Sequence, residues 1–196
     1  MHHQTIKLFT MISEEKINSN YLLYMKQLEG AGLDTKKLVE KFGENIKKGT
    51  YATSIDYKFC YDGSLITFSL DLLKTAIKIN EILPKEVQAD VKSLVKVCLL
   101  IFISKAEMYR KTCEDWKIKK GILYEFSPYE YALKTGIRSV QMCNECGIIF
   151  DAPEMEAMIS IDRSPEESQV RYNSSLISGI VNSSLMLTTI KNKILV

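Results

Sequence analysis

Apolar side chains recur at helical spacing along most of this chain, and strict alternation is confined to one short stretch. Tyr21, Leu22, Met25 and Leu28 share a face and predict a first helix, capped near Ser13 and stopped at Gly30-Ala31-Gly32. Asp34 stands where it would cap a second helix, "DTKKLVEKF", with Leu38, Val39 and Phe42 inward. "GENIKKGTYATSIDYKFCYDG" then reads as a loop framed by Gly43, Gly49 and Gly63. Leu65, Phe68, Leu72 and Ile79 predict a third helix from about Ser64 to Leu83, ended by Pro84. A fourth is expected from about Lys85 to Cys113. It changes character midway: a nearly unbroken apolar run to Ile103, then Ser104, Lys105, Glu107, Arg110 and Lys111.

Trp116 and Ile118 alternate with lysines, Lys119-Lys120-Gly121 has turn chemistry, and Ile122, Tyr124 and Phe126 alternate beyond it. This predicts a short β-hairpin. "SPYE" opens a further helix, with Ser127 as cap, Pro128 in the first turn and Glu130 completing a capping box, running to Gly147. "DAPE" repeats the device with Asp151 and Glu154. "SPEE" from Ser164 does so again before a last helix from about Leu176 to Ile190. No internal repeat interrupts the series. The sum is an all-α fold, a compact helical bundle with one short β-hairpin.

Composition narrows the chemistry. A chain of 196 residues suits one domain with a real core. The net charge of +2 gives no global pull towards nucleic acid or an anionic membrane, and the basic clusters read as solvated surface. The longest apolar run, Val97 to Ile103, is far short of the roughly 20 residues of a membrane span. The N-terminal residues lack the long apolar stretch of a secretory signal. Five scattered cysteines, an odd count, suit a reducing cytoplasm rather than a disulfide framework.

Histidine is the most telling count. The two are His2 and His3, and none follows from Gln4 to Val196. Histidine is the commonest general base and transition-metal ligand, so a domain without it forgoes Ser-His, Cys-His and His-metal chemistry together. Cys143 and Cys146 form a C-x-x-C. It has no second ligand pair for zinc, and it sits at an expected helix C-terminus, where the dipole disfavours thiolate. Asp151, Glu154, Glu156 and Asp162 make an acidic patch that capping partly explains. Asp62-Gly63 reads as a turn. Lys105 and Arg138 could bind a phosphate, though each alone reads as a surface cation.

The order of elements and several local patterns resemble the HD-domain phosphohydrolases, a compact bacterial subgroup in particular. "YKFCYDGSLITFSL", Tyr57 to Leu70, resembles that subgroup's Y-H-x-x-Y-x-G-G-L-x-x-H-S-L. Leu99 to Tyr109 resembles L-L-H-D-x-x-K-A-x-x-Y, and Thr135 to Val140 resembles H-G-x-K-S-V. Ala157 to Ile161 stands for A-I-x-W-H, and Gly179 to Asn182 for H-x-A-D. The likeness runs from about Tyr51 to Ile190. It implies N-terminal helices over residues 1–50 and an HD-like core over 51–190, within one domain.

In such enzymes the histidines and aspartates of these patterns hold a divalent metal that activates water. Here Lys58, Phe68, Ile101, Phe102, Thr135, Ile161 and Asn182 stand at those places, while framework residues such as Gly63, Lys105, Tyr109, Gly136 and Ser139 persist. The resemblance therefore implies a degenerate member with no catalytic residues, no metal and no cofactor. Its former site would be filled with hydrophobic core, and it would act by binding or scaffolding a protein partner. An anionic small molecule such as a nucleotide, held by Lys58, Lys105 and Arg138, is the second version. A rival reading rebuilds a phosphohydrolase on carboxylates such as Asp56, Asp62 or Asp162 with Mg²⁺ or Mn²⁺. Nucleic-acid binding through "WKIKKG" has only local charge behind it. A homo-oligomer stays open, since the N-terminal helices could join the core or serve a dimer contact.

Overall fold

The computed structural model describes residues 12–128, 133–163 and 174–194. It is an all-α bundle carrying one short two-stranded antiparallel sheet. The helices are α1 (Glu14–Gly30), α2 (Lys36–Lys48), α3 (Ser64–Ile82), α4 (Val91–Leu100), α5 (Lys105–Met108), α6 (Asp115–Lys119), α7 (Thr135–Glu145), α8 (Ala152–Ser160) and α9 (Leu176–Ile194). A 3₁₀ turn, Lys85–Val87, precedes α4. Strands β1 (Tyr109–Lys111) and β2 (Tyr124–Phe126) form the hairpin.

Helix α3 is the centre of the bundle. Leu65, Ile66, Phe68, Leu72, Leu73 and Ala76 are all buried, because α4 and α9 pack extensively on it and α1 and α2 touch it as well. A helix apolar on more than one face has to be enclosed in this way. Tyr24, Leu28, Leu38 and Ile46 of α1 and α2 belong to the same buried cluster as Leu94 to Ile103. The Tyr24 hydroxyl donates to the Leu99 carbonyl at 2.7 Å, fixing α1 to the end of α4.

Local signals hold at several ends. The Ser13 side chain accepts from the Lys16 N–H and starts α1. Asp151 and Glu154 form a full capping box at α8, each side chain taking the other's backbone N–H. Gly147, at φ +81°, lets the chain leave α7 while Ile148 N–H returns to the Cys143 carbonyl.

Other boundaries move. The cap of α2 falls on Thr35, although Asp34 still accepts the Lys36 N–H. The helix does not stop at Gly43 but continues to Lys48 and buries Ile46. Gly43 lies under the Tyr21 hydroxyl, where an added Cβ would sit 3.1 Å from the oxygen, so it serves close packing rather than a turn.

The expected single helix over 85–113 is broken twice. Asp90 accepts the Ser93 N–H and begins α4 only at Val91. After Leu100 the chain tightens, with Ile103 N–H bonding Leu100 O and Lys105 N–H bonding Phe102 O. The Ser104 N–H leaves the helical ladder for the Ser139 Oγ of α7, 35 residues away, and its Oγ donates to the Thr135 carbonyl. One turn later the chain is extended as β1.

The hairpin is real, and Tyr124 and Phe126 lie in its second strand as expected, but its first strand is not the one expected. Tyr109 faces Phe126, Arg110 faces Glu125 and Lys111 faces Tyr124, while Trp116 lies in α6 within the connection. Lys117 and Ile118 N–H both bond the Glu114 carbonyl, which commits the alternating stretch to a helical turn, and Gly121 at φ +77° ends it. The Ser127 N–H extends the hairpin by bonding Met108 O, and α7 starts at Thr135 after Lys134, later than the expected start at Ser127. Glu130 and the Ser164 capping motif lie outside the described residues.

Candidate functional site

The turn between α4 and α5 points Phe102 at α3, and the loop after α2 returns there through Tyr51 and Phe59. The four rings of Tyr51, Phe59, Phe68 and Phe102 close into a box. Tyr51 stacks on Phe68 with centroids 3.7 Å apart and 14° between planes. Phe102 meets Phe68 edge to face at 5.7 Å and Tyr51 at 5.3 Å, and Phe59 meets Phe68 at 5.3 Å. Edge-to-face and offset pairs of this kind add about 0.5–1.5 kcal/mol each beyond the area they bury. Phe68, Ile101 and Phe102 are buried, with Ile101 fully enclosed.

Lys105 forms the lid. Its Nζ donates to the Tyr51 carbonyl at 2.9 Å and lies 4.1 Å from the Tyr51 ring, 5.5 Å from Tyr109 and 5.6 Å from Phe102. No carboxylate pairs with it among the described residues. Burial pushes the amine down to about 8, the direction expected when an ammonium loses water without gaining an opposite charge. Burial also raises the Tyr51 and Tyr109 hydroxyls, so both rings stay neutral.

The remaining positions are dispersed. Lys58 is exposed and donates to Asn192 Oδ1 at 3.0 Å on α9. Thr135 is half-buried at the start of α7, its carbonyl held by Ser104. Ile161 closes the end of α8, and Asn182 on α9 accepts from the Ser160 hydroxyl at 3.1 Å. Gly136 lets α7 approach α8 here, since a Cβ would run into the Met158 carbonyl. Arg138 pairs with Glu107 at 3.2 Å. Lys58, Lys105 and Arg138 thus sit on three different partners rather than around one anion.

The carboxylates named above are equally occupied. Asp56 is exposed and accepts from Ser54. Both oxygens of Asp62 are taken, by Lys111 at 2.6 Å and the Tyr124 hydroxyl at 2.7 Å. Asp162 accepts the Ile137 N–H at the start of α7. Glu154 is bound to Lys96 at 2.6 Å and Glu156 to Arg163 at 3.3 Å. Among the described residues no group of three or more His, Cys, Asp or Glu could hold a metal ion. The hydrocarbon side chains of Phe68, Ile101 and Phe102 offer no lone pair, so these positions do not fit a divalent cation. Cys143 and Cys146 are both buried, and burial raises their thiols.

Two clefts open elsewhere. One of about 470 Å³ lies where α1 and α7 end, between Gly32, Lys37, Lys92 and Gly147. The other, about 260 Å³, is lined by Thr50, Asp62, Tyr109 and Lys111. The box of rings opens to neither. No family model, curated protein or solved structure matches the chain.

Sequence reading missed Tyr51 and Phe59 as members of this cluster. Both lie in a loop, where no periodicity marks an inward side chain. The density of aromatics over residues 51–61 was the one available signal.

Proposed function

We propose that this chain is a catalytically degenerate HD-domain-like protein that acts by binding or scaffolding a protein partner, not by metal-dependent hydrolysis of a phosphate ester. The observation that carries this reading is the contact of Phe68 with Phe102, stacked against Tyr51, in the interior where the resemblance calls for metal ligands. Opening that box for a metal and its water would expose buried rings, each worth about 1.5–3 kcal/mol of burial. The absence of histidine after His3 supports the same reading and does not depend on any alignment of motifs. Among the described residues no helix is long and apolar enough to cross a membrane, so nothing in these helices calls for a bilayer as the partner.

A nucleotide-binding version is weaker, because Lys58, Lys105 and Arg138 are held apart by their own partners. A carboxylate-based hydrolase is weaker still, since both oxygens of Asp62 are engaged and Asp56 and Asp162 lie on other elements.

The test is a melting-temperature panel with Mn²⁺, Mg²⁺, Ni²⁺ and Zn²⁺, each alone and with nucleoside mono- and triphosphates. A ligand at 100 times its Kd stabilises by about 2.7 kcal/mol, which such a panel resolves. The expected result is no metal-dependent shift. A Mn²⁺-dependent rise accompanied by phosphate release from a phosphomonoester would overturn the proposal.

A further inference from the structure

We propose that the cleft where α1 and α7 end is a binding site for a small phosphate monoester that carries an apolar group. The inference is independent of the proposed function, since the box of rings does not open into this cleft. The cleft offers about 470 Å³, which is within the range of small-molecule sites. Lys37, Lys92 and Ile149 on its lining are exposed, so a ligand can enter from solvent.

Two glycine turns make the space. α1 and α7 each leave their last turn through a left-handed glycine, Gly32 at φ +91° and Gly147 at φ +81°. Apart from chain neighbours, nothing lies within 4 Å of where a Cβ would stand at either one. The Leu33 and Ile148 N–H groups turn back to the Leu28 and Cys143 carbonyls. The N–H groups that follow, of Asp34 and Ile149, have no partner among the described residues. Lys41 pairs with Glu145 at 3.9 Å and brings α2 up to the end of α7.

Charge supplies the recognition. Lys37 and Lys92 are the second residues of α2 and α4, and neither has a hydrogen bond or ion pair among the described residues. A helix N-terminus carries partial positive charge and favours anionic side chains. Yet neither first turn holds an acidic residue, so the two lysines add to the positive ends of their own helices. Of the other charges on the lining, Lys96 and Glu154 neutralise each other at 2.6 Å. Asp34, whose carboxylate accepts the Lys36 N–H, can offset one lysine only. Asp90 is engaged by the Ser93 N–H at the start of α4. A dianion between α2 and α4 would offset the remaining charge and both helix ends. Lysine is a point charge rather than the planar fork of arginine, and serves a phosphate group in that way. Leu33 and Ile149, the latter 67% exposed, give the cleft an apolar wall for the rest of the ligand.

The full chain, labelled with ¹⁵N, would be titrated with phenyl phosphate at pH 7.5 while the amide resonances of Gly32 and Gly147 are followed. Both are expected to shift saturably. Lys37→Gln and Lys92→Gln should each weaken binding about fivefold, the upper end for an exposed ion pair. Both side chains are exposed, so neither substitution takes packing from the core. Lys119→Gln removes the same charge from α6, outside the cleft, and should leave the affinity unchanged. Benzoate, a monoanion on the same ring, should bind more weakly than phenyl phosphate. So should phenyl phosphate itself at pH 5, below the second phosphate pKa of about 6. No saturable shift at either glycine up to roughly 10 mM would overturn the site, as would an affinity that both lysine variants retain. Benzoate binding as tightly as phenyl phosphate would overturn the phosphate class.

Discussion

The ring box and the hairpin beside it are neighbours in the chain and opposites in construction. Phe68 and Phe102 are buried and held by contact between rings. In the hairpin, Trp116 is 54% exposed and Phe126 64% exposed, and the arm is laced by Lys117 to Glu114 and Glu125 and by Arg110 to Glu125. The first region draws on burial, which salt does not screen. The second draws on ion pairs at the protein's edge, between half-buried and exposed groups, which individually contribute little. Lys105 stands between them: a cation like those of the hairpin, placed in surroundings like those of the box. A hydrocarbon interior can be a fixed partner for other helices, but it cannot admit a hydrated ion without being taken apart. The hairpin can lose or gain a contact at little cost to the fold.

The sharpest break in this contrast would come from Phe68→Ala. Removing the ring that touches Tyr51, Phe59 and Phe102 should cost about 3–5 kcal/mol in urea unfolding. The equivalent truncation in the hairpin, Phe126→Ala, should cost less than about 1 kcal/mol, in keeping with a single exposed cross-strand pair. Equal losses at the two positions would show that the box is not the energetic centre.

Lys105→Met sharpens the contrast by turning the misplaced cation into hydrocarbon. The amine's proton affinity is lowered on folding, from 10.5 to about 8. Between those values the unfolded chain holds the extra proton, so native stability rises with pH across the window, and below it the full cost is present. The variant should therefore be more stable than the native protein at pH 7, by about 1–2 kcal/mol, the lost cation–π contacts offsetting part of the gain. The advantage should fade between pH 8 and 10.5. A variant that is destabilised at pH 7 by the same amount at every pH would mean that the ring contacts outweigh desolvation.

The smallest effect is expected from Lys117→Ala. The pair with Glu125 is half-buried at the edge of the arm, and Glu125 keeps Arg110 as a second partner, so the change in melting should be small and should shrink by about 1 M salt, where screening acts over about 3 Å. A large, salt-resistant loss would place this lysine in a buried network instead.

Much of the fold was legible in short stretches of sequence. Ser13 starts α1 and the Asp151–Glu154 box starts α8 because a cap needs only groups within three residues of each other. The limits of α3 follow from its apolar pattern and from Pro84. What could not be read is where α4 ends. The apolar run through Ile103 has the composition of continuing helix, and nothing nearby stops it. The decision is made by Ser139, whose oxygen takes the Ser104 N–H, and by the Thr135 carbonyl, which takes the Ser104 hydroxyl. The hairpin shows the same limit. Alternation around Trp116 suits a strand, but the pairing of Arg110 with Glu125 and of Tyr109 with Phe126 selects Tyr109–Lys111 as the partner of the expected second strand and leaves Trp116 in a helical turn.

The candidate site divides along the same line. That no histidine lies beyond residue 3, and that Phe68, Ile101 and Phe102 are hydrocarbon, could be read directly from the chain, because side-chain chemistry is independent of conformation. It took the folded arrangement to bring Phe68 and Phe102 into contact, to add Tyr51 from a loop, and to hold Lys58, Lys105 and Arg138 on separate partners. Convergence depends on contacts between residues far apart in the chain, and a local pattern of apolar and polar positions carries no record of which distant group will supply the bond.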